Sequence, residues 1–460
     1  MVRSLRLRLY GGLWIALFLL VSLFSAFSSY VPVAQAAAPL ASFPLGTDVT
    51  GIMDQLAGPD GDNLAADIAR SNASWLRFEF KATDPTNLAW YDRAIGRLQS
   101  HGLQLMAVLL DPFATCGHDM ADPDPDHFAE WVRTVYLKGC GVNGPGTVHQ
   151  LGFNELTARY PYIQYWQIWN EPNVCGFFPA DPNACGYGLW RKDGQGGEHV
   201  GLRWGMQKFG TLLATVYAER SNKNVKIVTG GILNAYNCSL EYDSICNQPG
   251  HLGPANCYAL KPWQNYGCDA GVNLLMNSDA VLHFKQEYGR LPFDILGLHP
   301  YQPSAWANGY VAPAVYLPSD IERNVRRFVD SSYPIWFTEW SFDLASNVNQ
   351  PPSCRYPAPA LSSSGCEANV AALFESMVAG LNSRPDLNIG NVFWFNLRDQ
   401  SKTLQTGLVD LNGRKRPVWY SFEAAAYGIG PGLQQNMRME ILSQLMRNSV
   451  RVLKSELQVG

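Results

Sequence analysis

The stretch Ile163–Asn173, with the sequence Ile-Gln-Tyr-Trp-Gln-Ile-Trp-Asn-Glu-Pro-Asn, decides the fold of this chain. It begins as a short, mostly apolar and aromatic run, and it ends in the polar residues Asn170 and Glu171. The stretch Ile335–Trp340, Ile-Trp-Phe-Thr-Glu-Trp, has the same character and carries a glutamate near its end. Short apolar runs are typical of parallel strands that are buried on both faces. Both stretches are therefore predicted to be parallel strands with polar groups at their carboxyl ends.

The same kind of run occurs repeatedly along the chain. Eight are found: Phe43–Val49, Trp75–Phe80, Leu103–Leu110, Ile163–Trp169, Val225–Gly230, Phe293–Leu298, Ile335–Thr338 and Asn391–Phe395. Helical patterns separate most of them, and eight alternations predict an α/β protein built as a (β/α)8 TIM barrel. We expect a single domain over residues 37–430, followed by an amphipathic helical tail over residues 431–460.

Helices can be predicted at several places between the runs. Two are indicated by apolar residues at helical spacing: Leu88, Tyr91, Ile95 and Leu98 after the second run, and Val370, Leu373, Phe374, Met377 and Leu381 after the seventh. Gly102 can end the first of these helices in a left-handed turn. Ser319 and Glu322 have the spacing of a capping box, which predicts that a third helix begins at Ser319.

Composition narrows the class of protein. The chain has 460 residues, of which 16% are charged, and its net charge is −4. About 25% charged residues is usual for a soluble domain. A nucleic-acid-binding protein would carry a basic patch or stripe, so this class is excluded. Aromatic residues make up 12% of the chain, and their rings suit both a barrel core and the apolar face of a sugar.

The N-terminus has the pattern of a secretory signal over residues 1–36. Three arginines precede the apolar run Leu13–Phe27, and Ala34-Gln35-Ala36 follows as a small-residue cleavage site. Cleavage after Ala36 would give a secreted protein with no integral membrane span. The alternative is an uncleaved anchor, because the apolar stretch Gly11–Phe27 approaches the length that a membrane span needs.

Ten cysteines follow this segment, and an even count in an exported chain predicts disulfides that staple the loops. Pairing by proximity in the chain favours Cys175–Cys185, Cys257–Cys268 and Cys354–Cys366, then Cys116–Cys140 and Cys238–Cys246. Structural zinc is the alternative, but no pair has the Cys-x-x-Cys spacing, and we expect no metal.

Polar and aromatic residues mark the carboxyl ends of the predicted strands: Arg77 on the second, Asn170 and Glu171 on the fourth, His299 and Tyr301 on the sixth, Glu339 on the seventh and Trp394 on the eighth. These ends meet at one mouth of a barrel. Glu171 and Glu339 would face each other there, and glycoside cleavage needs such a pair of carboxyl groups. Asn170 and Glu171 are adjacent, so strict alternation cannot turn both inward, and we predict a bulge or bend at this strand end.

Each supporting residue also has a structural interpretation. Arg77 could simply form an ion pair with Glu79, His299 could be a hydrogen-bonded core histidine, and Trp394 could pack in the core.

With these motifs in order, the chain resembles clan A of the retaining glycoside hydrolases, which includes cellulase-like and β-xylosidase-like families. The resemblance implies that Glu171 is the acid/base and Glu339 the nucleophile. It also implies that Asn170 binds the sugar 2-hydroxyl, that Arg77 and Tyr301 hydrogen-bond the nucleophile, and that Trp394 forms a platform under the sugar. Many cellulase-like members have a histidine after the third strand, where this chain has Asp111-Pro112.

We therefore expect a secreted, monomeric enzyme that hydrolyses β-linked glycosides with retention and uses no cofactor. Carbohydrate is the expected partner. Two alternatives stay open at this point, namely a barrel that binds carbohydrate without cleaving it and a transglycosylase.

Overall fold

A computed structural model describes residues 41–81, 83, 85–110, 125–141, 149–173, 184–185, 190–191, 197–233, 270–300, 313–342, 364–402 and 404–426. The predicted signal over residues 1–36 and the predicted tail over 431–460 lie outside these residues. The same holds for most of the cysteine side chains, so the disulfide pairings stay predictions.

Parallel strands form one curled sheet at the centre of the fold. Each of the eight predicted runs overlaps a strand: β1 Leu45–Asp48, β2 Trp75–Phe80, β3 Gln104–Leu109, β4 Tyr165–Ile168, β5 Lys226–Val228, β6 Leu296–His299, β7 Ile335–Trp340 and β8 Ile389–Trp394. Consecutive strands pair in parallel from β1 to β5 and from β6 to β8, and β8 pairs with β1. The strand positions were therefore predicted correctly.

The fifth strand position is split, which gives the sheet nine segments. Its first half, Lys226–Val228, pairs with β4, whereas its second half, Ile232–Leu233, pairs with β6. A parallel bridge between Val228 and Ile295 also joins β5 to the residue before β6. The break lies at Gly231, whose φ of +43° is in the left-handed region that favours glycine.

Helices lie between most of the strands. Their bounds are α1 Met53–Ala57, α2 Gly61–Arg70, α3 Pro85–Ser100, α4 Pro125–Trp131, α5 Phe153–Arg159, α6 Gly197–Glu219, α7 Ala270–Met276, α8 Asp279–Tyr288, α9 Pro313–Ile321, α10 Ser364–Asn382 and α11 Pro417–Ala426. The predicted helices after β2 and β7 are confirmed as α3 and α10, and Gly102 follows α3 with φ +74°. No helix among these residues has the length and apolarity of a membrane span.

The predicted capping box at Ser319 is wrong. The helix before β7 already begins at Pro313, so Ser319 lies inside α9 and Glu322 opens the π-helical segment Glu322–Arg326. Proline is favoured at the first position of a helix because its missing N–H would have no partner there. The residues of the predicted capping box, Ser319 and Glu322, therefore lie in the interior of a helical segment and not at its start.

Aromatic side chains on the inner face of the curved sheet pack together near the amino ends of the strands. We call this group the aromatic floor. Trp75 on β2 contacts Trp336 on β7 with ring centroids 5.1 Å apart, and Tyr165 on β4 stacks on Trp336 at 4.9 Å. Phe393 on the neighbouring strand β8 completes this group, with its ring centroid 6.0 Å from that of Trp336. Because the floor fills this part of the interior, the polar inward-facing residues of the site lie beyond it, toward the carboxyl ends of the strands.

Candidate active site

The end of β4 bends sharply, as its sequence predicts. Trp169 has φ +69° and Glu171 has φ +43°, a region that non-glycine residues rarely adopt. This backbone interrupts the alternation of the strand, so two consecutive side chains reach the same site. Asn170 accepts a hydrogen bond from Arg77 at 2.9 Å, and Glu171 lies 2.8 Å from His299.

The end of β7 also departs from simple alternation. Trp336 points to the floor, and Glu339, three residues further on, reaches the same interior and contacts Arg77. A shift in the pairing of β7 with β8 between Phe337 and Trp340 accommodates this spacing. The irregularity delivers the second predicted carboxylate to the site.

Arg77 is the fully buried centre of the cluster. Its Nη2 lies 2.8 Å from Glu339 Oε1 and 3.3 Å from Glu79 Oε1, and its Nη1 donates to Asp48. Its Nε donates to Gln167 Oε1 at 3.4 Å. The two interpretations of Arg77, as a partner of Glu79 and as a partner of Glu339, are thus both correct. One guanidinium is shared among three carboxylates.

Two members of this cluster were missed in the sequence. Asp48 is the last residue of β1, and Gln167 lies in the middle of β4, where its Nε2 donates to Asn170 Oδ1 at 2.9 Å. Their signal was available, because Asp48 is a charged residue near the end of a predicted strand and Gln167 is a polar residue inside an otherwise apolar and aromatic one.

His299 connects the two glutamates. Its Nδ1 lies 2.8 Å from Glu171 Oε1 and 3.6 Å from Glu339 Oε2. Burial lowers the pKa of His299 to about 4, although the nearby Glu339 opposes this change. The ring is therefore neutral near pH 7 and carries one proton. Gly231 lies against it: a Cβ at Gly231 would be 2.1 Å from His299 Nε2.

Glu171 and Glu339 form a close carboxyl pair. One ligand oxygen of each lies within 4.8 Å of the other. Burial raises both pKa values to about 7; Arg77 opposes this for Glu171, and His299 and Arg77 oppose it for Glu339. A nucleophile beside a guanidinium would be expected to have the lower pKa of the two, and this difference is not seen because burial makes the largest contribution at both residues. The contacts do differ, since Glu339 bonds Arg77 and Glu171 bonds His299.

The prediction that Trp394 forms a platform under the sugar is wrong, and the alternative interpretation, that it packs in the core, is correct. Trp394 is 1% exposed and packs in the layer between sheet and helices, with its ring centroid 5.7 Å from that of Phe374 on α10. Its Nε1 donates to Thr406 O at 2.7 Å. Phe393 points to the inner floor, so alternation turns Trp394 outward and gives the inner face to Phe395, which is half-buried.

Tyr301 lies outside the described residues, so its predicted role stays a prediction. Among the described residues, Glu171, His299 and Glu339 form a group that could converge on a cation. Arg77 already places a positive charge 2.8 Å from Glu339, which disfavours a second cation. We therefore keep the expectation that the site works without a metal.

Of three comparisons with known proteins, the search of solved structures finds similar proteins. A scan against protein-family models finds no match, and a search of curated proteins finds none either. Among solved structures, β-glucosidase 2 from the fungus Trichoderma reesei is similar with a TM-score of 0.51 and 12% identity, covering 84% of this chain and 97% of that one. This likeness shows a shared fold.

Two further solved structures are similar at a lower score. The β-glucosidase from Trichoderma harzianum has a TM-score of 0.49 and 12% identity, covering 86% of this chain and 98% of that one. The broad-specificity endoglucanase from Clostridium acetobutylicum has a TM-score of 0.46 and 12% identity, and the match covers 84% of this chain and 96% of that one. Of these three likenesses, the one to the Trichoderma reesei β-glucosidase shows the fold that the sequence resemblance implied.

Proposed function

We propose that this protein hydrolyses β-linked glycosides of an oligosaccharide or polysaccharide with retention of configuration. One observation carries the proposal, namely the close carboxyl pair in which Glu339 contacts Arg77 and Glu171 contacts His299. Retaining enzymes hold their carboxyl groups about 5–5.5 Å apart, whereas inverting enzymes leave about 6.5–9.5 Å for a water. Oxygens within 4.8 Å of each other favour the retaining spacing.

Glu339 and Glu171 have different roles in the two steps of the reaction. In the first step, ionised Glu339 attacks the anomeric carbon while Glu171 gives its proton to the leaving oxygen, so one C–O bond forms as another breaks. In the second step, Glu171 takes a proton from water, and the resulting nucleophile displaces Glu339 from the sugar. His299 can donate to ionised Glu171 or accept from its protonated form, which suits a residue that changes its proton state twice.

The test is the configuration of the first product. Purified mature protein would be incubated with aryl β-glycosides and natural β-glycans, and the anomer that forms first would be followed by NMR. We expect the β anomer. Binding without cleavage would support the non-catalytic alternative, and transfer to an added sugar in preference to water would support a transglycosylase.

The pH dependence follows from the raised pKa values of both glutamates. The active form has one proton on the pair, on Glu171, and the pair titrates near 7. As the pH falls, Glu339 becomes protonated and cannot attack, and as the pH rises, Glu171 loses the proton it must donate. We expect a bell-shaped profile of kcat/KM with its maximum near neutrality. A profile that is flat from acidic to alkaline pH would contradict this assignment.

Gly231→Ala tests whether the split fifth strand positions His299. The matched control is Gly289→Ala, because Gly289 also has a positive φ, of +68°, but has no atom close to an added Cβ. A left-handed alanine costs roughly 1–2 kcal/mol of unfolding free energy at either position. Only Gly231→Ala must displace His299, so only this variant should lower kcat, by roughly 100-fold. Equal kcat values in the two variants would argue against a positioning role.

We also propose that the protein is exported and stapled by disulfides, as the N-terminal pattern and the ten cysteines indicate. Mass spectrometry of the exported protein should find a mature N-terminus at or near Ala37. Peptide mapping without reduction should find the five local pairs. An intact Met1 in a membrane fraction would favour an anchor, and free thiols at most positions would exclude the disulfide framework.

A further inference from the structure

A third glutamate lies at the mouth and has no part in the mechanism above. Glu79 follows Arg77 by two residues on β2, so both side chains share the inward face. Its backbone is held on both sides, because its N–H donates to Thr50 Oγ1 and its carbonyl accepts from Tyr91 Oη, each at 3.1 Å. The backbone of Glu79 is thus held in place, and only 15% of the side chain is exposed.

The hydrogen bonds of Glu79 are few for such a buried carboxylate. Its Oε1 has one long bond, at 3.3 Å from Arg77 Nη2, and its Oε2 bonds to none of the described residues. Arg77 meanwhile has shorter contacts with Glu339 and Asn170. Burial raises the pKa of Glu79, which is the sign of a carboxylate that loses hydration without full compensation. Oε2 is not sealed from solvent, so it is open to a hydrogen bond from a bound ligand.

A matching donor lies beside it. Asn170 Oδ1 accepts from both Arg77 Nη2 and Gln167 Nε2, so the amide nitrogen of Asn170 is turned the other way. That nitrogen has no hydrogen-bond partner among the described residues, and it is not sealed from solvent. Arg77 Nη2 therefore has an available acceptor, Glu79, and an available donor, Asn170, on its two sides. Two neighbouring hydroxyl groups of a sugar can satisfy this pair together.

We propose that Glu79 is a specificity-determining residue that accepts a hydrogen bond from the 3-hydroxyl of the sugar whose anomeric carbon is attacked. This inference rests on the proposed function and on the outward-facing amide nitrogen of Asn170, which we assign to the adjacent 2-hydroxyl. Glu79 selects for sugars that present vicinal 2- and 3-hydroxyls toward β2.

The experiment compares matched substrates in matched variants. The probes are the 2,4-dinitrophenyl β-glycosides of glucose, mannose, galactose and xylose; the best of them is then compared with its 3-deoxy and 2-deoxy analogues. A hydrogen bond to a charged group corresponds to roughly 10- to 100-fold in kcat/KM, so the wild type should disfavour the 3-deoxy analogue by that factor. In Glu79→Ala this discrimination should fall below about threefold, whereas discrimination against the 2-deoxy analogue should persist as an internal control.

Glu79→Gln retains an acceptor and the shape of the side chain, and it should keep part of the discrimination. It also provides a folded comparison should Glu79→Ala prove unstable in thermal melts. If both variants slow the parent and the 3-deoxy substrate equally, Glu79 acts only through Arg77 and the inference is overturned. A wild type inactive on every probe would instead overturn the proposed function, and the inference with it.

Discussion

Glu339→Ala should lose nearly all turnover, by roughly 10⁴-fold or more in kcat, because it removes the carboxylate that attacks the anomeric carbon. Added azide should restore turnover, since a small anion fits the space beside Arg77 that the carboxylate leaves. Azide attacks from the face that Glu339 occupied, so the product should be the α-glycosyl azide from a β-glycoside. The measurement is the rate of aryl release, with the configuration of the azide product determined by NMR.

Glu171→Ala is the matched control, because it removes the other carboxyl of the pair and leaves the contact between Arg77 and Glu339 intact. Substrates with good leaving groups need no proton, so they should still form the covalent intermediate. Azide should then give a β-glycosyl azide, since it attacks the intermediate from the opposite face. The reverse pattern in the two variants would exchange the assigned roles.

Arg77→Met should have the second-largest effect, on stability as well as on turnover. It leaves Asp48, Glu79 and Glu339 buried without their common cation, and breaking a buried pair costs about 3–5 kcal/mol. The pKa values of Glu79 and Glu339, which burial already raises, should rise further in the folded state. A raised pKa destabilises the fold as the pH rises above the unfolded value, so the stability of the variant should fall from pH 5 to pH 8 more steeply than that of the wild type.

Arg77→Lys is the control for charge, because it retains a cation but not the several directed N–H groups. It should recover much of the stability and little of the turnover. Chemical denaturation at pH 5 and pH 8 gives both results. An Arg77→Met protein with wild-type stability at both pH values would contradict the view that Arg77 neutralises the cluster.

The strands were predictable because their signal is local. Runs such as Trp75–Phe80 are apolar, short and bounded by polar residues, and these properties do not depend on the rest of the chain. The helix before β7 was misplaced because Ser319 and Glu322 match a capping box by composition, while the actual start depends on Pro313. The split of β5 was not predicted, since it depends on how His299 of another strand packs against Gly231.

The site was predictable where residue type alone restricts the chemistry. Glu171, Glu339, Arg77 and His299 are costly to bury, and the structure brings all four together. The prediction for Trp394 failed for a different reason: two aromatic residues end β8 and a third, Phe395, follows it, so the sequence does not reveal which of them faces inward. The packing of Phe393 in the aromatic floor shows that Phe393 faces inward, so Trp394 faces outward.

The most direct test of the account is to identify the residue that becomes covalently bound to the sugar. The 2,4-dinitrophenyl 2-deoxy-2-fluoro β-glycoside of the preferred sugar would be incubated with the protein, because fluorine slows release of the intermediate. Proteolysis and mass spectrometry would then locate the label. The account predicts one added glycosyl group on the peptide that contains Glu339, with the modification at that residue. A label on Glu171, or aryl release by an active protein with no covalent adduct, would contradict it.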